Sequence, residues 1–361
     1  MKVAIGAVAG TIGGPATYAI ELAKALVAGF PDDRFTVLTD RPESFASFCE
    51  TRTVELRSAW EQPLWDHLRV PAVLAYERFD LYHGTKGVLP RRGSTPAVVT
   101  IHDLASYVMP QTFRLAQRLH LAWETPWAVS RARAVVVPSE STAADVAQFF
   151  PEHSAKTVVT PEAPATTLRP ASAAAIAAWR ERYKVEKPAC GYLGTIQPRK
   201  NLDALVDAFL EAAGNRDWKL VIAGRLRPGE KPAFLERDAR VVYVGALDDD
   251  EIAAFFGSIR CMVSPSAYEG FGLTFIEAMA SGCPVVGLRN SSIPEVVGDA
   301  GILVDSADAS ELAPAIQRLM TDDRLAMDLS RRGREQAARF SWNETARRTM
   351  SAYRAALEAG P

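Results

Sequence analysis

The chain has 361 residues, 48 % of them apolar and 23 % charged, with a net charge of −2. That is the make-up of a globular protein with material for two domains, and it excludes a strongly basic nucleic-acid binder and an acidic solvating chain. Cys49, Cys190, Cys261 and Cys283 are far apart and lack the spacing of a zinc site or a disulfide framework. Such usage fits a reducing compartment. No apolar run reaches the roughly 20 residues needed to span a bilayer. The first ten residues read as a strand running into a Gly-rich turn rather than as a leader, so the expected location is cytoplasmic.

In chain order, Val3–Val8, Phe35–Leu38, Asp80–His83, Ala97–Ile101, Ala134–Val137 and Thr157–Val159 read as strands. Several are unbroken Val/Ile runs, as parallel strands covered on both faces require. Pro15–Ala28 and Thr112–Val129 have helical spacing, the second interrupted by Pro126. Ser139 is placed to cap a helix that begins near Thr142. The stretch Pro161–Ser172, punctuated by Pro161, Pro164 and Pro170, reads as a linker. Strands resume at Ala189–Gly194, Lys219–Ala223, Val241–Val244, Cys261–Ser264, Pro284–Gly287 and Ile302–Val304. Helices fall between them at Leu202–Ala213, Asp250–Phe256, Thr274–Ser281 and Ser310–Met320, and Ser341–Ala359 reads as one long closing helix. The expected fold is α/β: two facing Rossmann-like, doubly wound domains over residues 1–165 and 172–340. A ligand cleft lies between them, and residues 341–361 cross back to the first domain.

Two segments carry the chemistry. In Ser264–Gly282 a strand ends, a loop with Gly270 and Gly272 follows, and a helix opens near Gly272–Phe275 and closes at Gly282. Free N–H groups at such a helix start attract an anion, and the glycines let it approach the backbone. Glu269 and Glu277 lie eight positions apart on either side of that turn. Carboxylates beside a phosphate site are repulsive unless they accept from neutral donors, and sugar and ribose hydroxyls are such donors. In Gly191–Leu202, Arg199 and Lys200 follow a strand end and a Pro, and suit a diphosphate bound without a metal. The two segments together predict one ligand, an anion bearing hydroxyls.

Glu269-x7-Glu277 with its Glu-Gly-Phe-Gly-Leu turn, the Gly194–Asn201 segment, and Phe340-Ser341-Trp342 at the last helix resemble the retaining glycosyltransferases of family 4. Trp60-Glu61-Gln62 and His102-Asp103-Leu104, with Pro198-Arg199-Lys200-Asn201, are most similar to the bacterial mannosyltransferase-like branch. The resemblance implies a GT-B fold. It also implies that Arg199 and Lys200 hold the donor diphosphate and that Glu277 binds the ribose. By the same likeness Glu269 contacts the transferred sugar, and the backbone of Gly270, Phe271, Gly272 and Leu273 surrounds sugar and phosphate. Thr195 stands where many members carry Arg, which moves the guanidinium role to Arg199, and Leu247 resembles positions beside the nucleotide base. Gly13 and Gly14 open the first helix and allow close approach of a phosphate or sugar. His102, just after the Ala97–Ile101 strand, resembles a His that hydrogen-bonds the donor sugar.

Two other motifs have simpler explanations. Asp248-Asp249-Asp250 matches an Asp-x-Asp metal motif, but Asp248-x-x-Glu251 before an apolar run reads as a capping box. Asp40 ends the second strand, where a dehydrogenase binds ribose, yet Gly10-x-x-Gly13-Gly14 is not the dinucleotide fingerprint. The expected activity is therefore transfer of a mannose- or glucose-type hexose from a nucleotide diphosphosugar, GDP-mannose by resemblance, to an acceptor hydroxyl. The expected course is retaining and metal-independent, with no cofactor. The alternative is a non-catalytic nucleotide-sugar-binding protein on the same fold. The acceptor is a sugar, a lipid-linked sugar or a small molecule, with no nucleic-acid partner. Arg114, Leu115, Arg118, Leu119, Trp123 and Trp127 recur along one helical segment and read as a core-facing stripe with a solvated rim. The other reading of that face is peripheral contact with the inner surface of a membrane.

Overall fold

Runs of Val, Ile and Ala bury both faces of a strand only where helices cover a parallel sheet on each side. A computed structural model of the chain, describing residues 1–8, 13–56, 61–226, 229 and 231–358, shows two such sheets. They belong to separate compact units, Met1–Glu162 with Ser341–Pro361, and Ala163–Phe340.

The first unit opens with β1 (Lys2–Ala7), α1 (Gly14–Gly29), β2 (Arg34–Thr39) and β3 (Glu50–Thr53). Helices α2 (Gln62–Leu64) and α3 (Val70–Tyr76) follow, joined through a π-helical turn at Trp65–Arg69. Next come β4 (Leu81–Gly84), β5 (Ala97–Thr100), α4 (Ala105–Val108) and α5 (Leu115–Arg131). The unit continues with β6 (Ala134–Val137), α6 (Glu140–Phe149) and β7 (Thr157–Val159). Its seven strands are parallel in the order β3-β2-β1-β4-β5-β6-β7.

The second unit begins with α7 (Ala173–Tyr183), β8 (Ala189–Leu193), α8 (Leu202–Ala213), β9 (Lys219–Ala223) and β10 (Val241–Gly245). It continues through α9 (Ile252–Ser258), β11 (Cys261–Ser264), α10 (Leu273–Ala280) and β12 (Val285–Leu288). The elements α11 (Ile293–Val297), β13 (Ile302–Val304), α12 (Ala309–Thr321) and α13 (Asp323–Ala337) complete it. Its six strands run parallel in the order β10-β9-β8-β11-β12-β13. In each sheet the winding reverses once, between β1 and β4 and between β8 and β11. Ligands of open α/β sheets bind beyond the strand ends at that reversal.

Several elements depart from the sequence reading. Strand β3 was not anticipated: Glu50-Thr51-Arg52-Thr53 is polar because it is the sheet edge, paired with β2 on one side, and Thr51 is its one half-buried residue. Helix α13 was missed because its surface is largely charged, with Leu329, Gly333 and Ala337 as its buried residues. Helix α5 runs unbroken through Pro126, over Leu115–Arg131 rather than Thr112–Val129. The division between units falls after Glu162, within the segment read as linker. Ser139 caps α6, its hydroxyl accepting from the Thr142 N–H at 3.0 Å. The four cysteines are buried and unpaired, and burial pushes the Cys261 thiol up to about 12.

The last helix, α14 (Trp342–Glu358), packs on α1 and on β5, β6 and β7. Its Tyr353 hydroxyl lies 2.6 Å from Nδ1 of His83 on β4, and His83 Nε2 lies 2.7 Å from the Thr100 hydroxyl. The same Thr100 oxygen is 2.9 Å from the Tyr18 hydroxyl on α1. Hydroxyls both donate and accept, so a neutral His83 satisfies both contacts. Burial, followed by the His102 charge, holds His83 at about 3, below the ordinary 6.5. The unfolded chain therefore takes up this proton below about pH 6.5, and the folded chain does so only near pH 3. Stability from this group is complete above pH 6.5 and declines as pH falls toward 3. In urea unfolding of wild type against His83→Gln, the difference between the two should shrink over that window by up to about 1.4 kcal/mol per pH unit. A pH-independent difference would contradict the neutral buried assignment.

Candidate functional site

At the reversal of the second sheet, the segments after β8 and β11 lie side by side and are tied together. Pro198–Lys200 forms a single 3₁₀ turn, closed by Asn201 in the left-handed region at φ 52°. Asn is among the few side chains that tolerate this conformation. The Asn201 amide donates to the Pro265 carbonyl at 3.0 Å, and the Ala267 N–H donates to the Arg199 carbonyl at 2.9 Å. Close backbone passage supports the same place. A Cβ on Gly224, whose φ is 149°, would fall 1.8 Å from the Gly194 carbonyl oxygen.

These ties bring Arg199, Lys200 and Glu269 together. The Lys200 ammonium donates to one Glu269 carboxylate oxygen. Arg199 Nη1 lies 3.5 Å from the other and donates to the Tyr268 carbonyl at 2.7 Å. The Glu269 backbone is held from the other side by the Ser291 and Ser292 hydroxyls, at 3.0 and 2.9 Å. Burial pushes the Glu269 carboxyl up, but the Lys200 and Arg199 charges outweigh it and hold the group below its ordinary range. It is an anion between two cations at neutral pH.

Beyond Glu269 the chain turns through Gly270 and Phe271 to Gly272, at φ 96°, where a Cβ would meet Ile293 Cδ1 at 2.8 Å. Both facts demand Gly there. Helix α10 then starts at Leu273, and its first backbone bonds run from the Phe275 and Ile276 N–H groups to the Gly272 carbonyl. The Leu273 and Thr274 N–H groups come before these bonds in the helical ladder. Glu277 lies five residues into α10 and is buried. Thr195 is exposed after β8, its carbonyl accepting from the Tyr192 hydroxyl at 3.2 Å. Leu247 is half-buried after β10 and packs against the core beneath α10.

The capping box at Asp248–Glu251 is only half formed. The Glu251 carboxylate accepts from the Asp248 N–H at 3.2 Å, but Glu251 is itself the N-cap of α9 and no side chain caps that helix. Glu251 also accepts from Arg182 and Tyr183, at 2.9 and 3.0 Å. Among the described residues no group of three or more His, Cys, Asp or Glu side chains is arranged to hold a metal.

Gly13, Gly14 and His102 belong to the other unit. Gly13 is the N-cap of α1 at φ 84°, with no atom within 4 Å of the position a Cβ would take. His102 follows β5, and both ring nitrogens already have protein partners. Nε2 lies 2.8 Å from the Thr85 carbonyl and Nδ1 lies 3.2 Å from the Glu162 carboxylate. The Tyr18 ring stands edge-on to the imidazole at 4.8 Å. Any hydrogen bond from this ring to a ligand must therefore replace one of those contacts, a constraint the sequence did not show. Trp60 lies outside the described residues, and Glu61 and Gln62 begin the segment that leads into the π-helical turn.

The structure overturns the reading of α5 as a core-facing stripe. Leu115, Leu119 and Trp123 are 67, 63 and 59 % exposed, and Leu64 and Leu68 on the neighbouring segment are also exposed. The Arg91 guanidinium stacks 3.4 Å from the centre of the Trp123 ring. Beneath this face, Glu124 accepts from His67 Nε2 at 3.0 Å. Trp65 Nε1, His67 Nδ1, Arg91 Nε and the second Glu124 oxygen are buried with no partner. Burial and the Glu124 charge push the nearby Asp66 up to about 7. Sequence reasoning passed over this cluster, because its members are scattered singly over α5, the π-helical turn and the segment between β4 and β5.

The chain has recognisable relatives. Residues 12–163 match the model described as glycosyltransferase family 4, and residues 187–322 match that of glycosyl transferases group 1. The chain belongs to the family 4 glycosyltransferases. It is 29 % identical over 283 residues to O-antigen chain mannosyltransferase B of Escherichia coli, covering 76 % of this chain and 74 % of that one. It is 35 % identical over 168 residues to an MMP alpha-(1->4)-mannosyltransferase of Mycolicibacterium hassiacum, covering 44 % of this chain and 41 % of that one. Among solved structures, HepE of Anabaena in complex with UDP-glucose superposes with a TM-score of 0.77 at 20 % identity, over 98 % of this chain and all of the other.

The Glu269 arrangement generates a prediction. Replacing the carboxylate removes the internal partner of Lys200 and Arg199 and leaves both cations to an added anion. Glu269→Gln should therefore bind inorganic pyrophosphate about tenfold more tightly than wild type, or about 1.4 kcal/mol, by calorimetry. Weaker binding by the variant would show that the cations do not point to an anion site.

Proposed function

We propose that the chain transfers a mannosyl residue from a nucleoside diphosphate donor, GDP-mannose, to an acceptor hydroxyl with retention of anomeric configuration. The observation that carries this reading is the Arg199–Lys200–Glu269 cluster beside the start of α10, at the reversal point of the second sheet. The mannosyltransferase relatives support the sugar. In this reading the donor diphosphate takes the place of Glu269 as partner of Arg199 and Lys200. Glu269 is then released to accept from sugar hydroxyls, and Glu277 accepts from the ribose.

The anomeric C–O bond to the diphosphate breaks through an oxocarbenium-like transition state. The acceptor oxygen bonds to the same face, and its proton passes to the departing phosphate oxygen. Charge grows on that diphosphate as the bond breaks, so two cations and the helix start stabilise the transition state more than the bound donor. They supply the role a divalent ion plays elsewhere, and turnover is expected to persist in chelator. Incubation with GDP-mannose, UDP-glucose and UDP-GlcNAc should release nucleoside diphosphate from one of them when acceptor is present. Lys200→Ala should lower that rate about 10²-fold or more with an unchanged circular dichroism spectrum. Release of no nucleoside diphosphate despite donor binding would favour the non-catalytic binder instead.

The acceptor side is proposed to meet a lipid surface at the cytoplasmic face of the membrane. Residues 104–123 contain no acidic side chain, and the exposed Leu64, Leu68, Leu115, Leu119 and Trp123 are accompanied by Arg91, Arg114 and Arg118. Apolar side chains with an arginine rim suit the interface of an anionic bilayer. Among the described residues no helix is long and apolar enough to cross a membrane, so contact would be peripheral. The chain should co-sediment with phosphatidylglycerol vesicles and much less with phosphatidylcholine ones, and Leu119→Glu with Trp123→Glu should abolish binding. Equal recovery in the supernatant with both vesicle types would refute lipid contact.

A further inference from the structure

His102 is held by two acceptors, and the count of hydrogens between them has a consequence. The Thr85 carbonyl can only accept, so Nε2 carries a hydrogen. Nδ1 faces the Glu162 carboxylate at 3.2 Å, and a neutral imidazole with its hydrogen on Nε2 has none left for that contact. One further proton must lie between the ring and the carboxylate. Glu162 is almost fully buried and would otherwise be a carboxylate stripped of water. The edge-on Tyr18 ring, itself fixed through the Thr100 hydroxyl, prevents the imidazole from swinging away.

We infer that Glu162 is the positioning residue of His102, and that the two share a proton carried on Nδ1 of the imidazole. With Nε2 engaged by one acceptor and Nδ1 facing another, both ring nitrogens need a hydrogen, and the ring carries the shared one. The arrangement gives His102 a fixed orientation and a positive charge, balanced by Glu162. Glu162 ends the first unit, so the ring is clamped by the residue at which the chain leaves that unit. The part this pair plays in sugar transfer rests on the proposed transferase reading, whereas the proton count does not.

The test uses the full chain with ¹⁵N-labelled histidine, the His102 signals being assigned by their loss in His102→Gln. Wild type at neutral pH should show two nitrogens of the protonated type for His102. Glu162→Gln keeps the size and can donate an amide hydrogen to Nδ1, and it should show one protonated and one bare nitrogen. A bare Nδ1 in wild type overturns the proposal, and this outcome needs no Glu162 variant to fold and no donor to be turned over. In the transfer assay, Glu162→Gln should lower kcat about a hundredfold with KM for the donor little changed, as for a misoriented group at a reaction centre. An unchanged kcat would overturn the positioning role. If wild type transfers none of the sugars offered, the transferase reading fails while the spectra still decide the proton.

Discussion

A carboxylate removed from water stays charged only where opposite charge meets it, and the second unit is organised around such a meeting. Glu269 lies half-buried between Lys200 and Arg199, which come from a segment about 70 residues earlier. Everything that brings the two segments together serves that contact. Neighbouring strands β8 and β11 end at the reversal of the sheet, the Asn201 amide reaches across to Pro265, and two serines grip the Glu269 backbone. The same contact holds the two cations beside one another.

Much of this was legible in the sequence because its causes are local. Unbroken Val/Ile runs mark covered parallel strands, and Gly270 and Gly272 mark the turn that opens α10. The Arg199-Lys200 pair and the Glu269/Glu277 spacing pointed to one anion bearing hydroxyls, and the structure brings Arg199, Lys200 and Glu269 into direct contact. What could not be read was their pairing, since nothing in a sequence reports that a carboxylate assigned to a sugar rests on a lysine. The partners of His102 were hidden for the same reason: Glu162 is 60 positions away and lies in a segment read only as linker.

Other differences trace to what periodicity does and does not encode. An amphipathic pattern reports that a helix has two kinds of face and not which face is covered. Leu115, Leu119 and Trp123 have the spacing of a core stripe, yet they face outward while Glu124 and Thr125 are buried. The buried cluster of His67, Arg91 and Glu124 shows the inversion most clearly, with polar groups beneath and apolar groups above. Strand β3 and helix α13 were missed from the opposite cause, being elements whose burial is too small to leave an apolar pattern.

The attachment of α14 to the first sheet bears on how the chain reaches its native state. Tyr353 completes the contacts of His83, Thr345 donates to the Pro161 carbonyl, and Arg348 reaches the Val159 carbonyl at 3.3 Å. On the ribosome, the first sheet emerges early but lacks this cover until residues 342–358 have been made. Residues 163–340, by contrast, hold all their own elements in one continuous stretch. The later-synthesised half can therefore reach its native packing before the earlier one, reversing the usual vectorial order and leaving the amino-terminal half exposed to chaperones for longer.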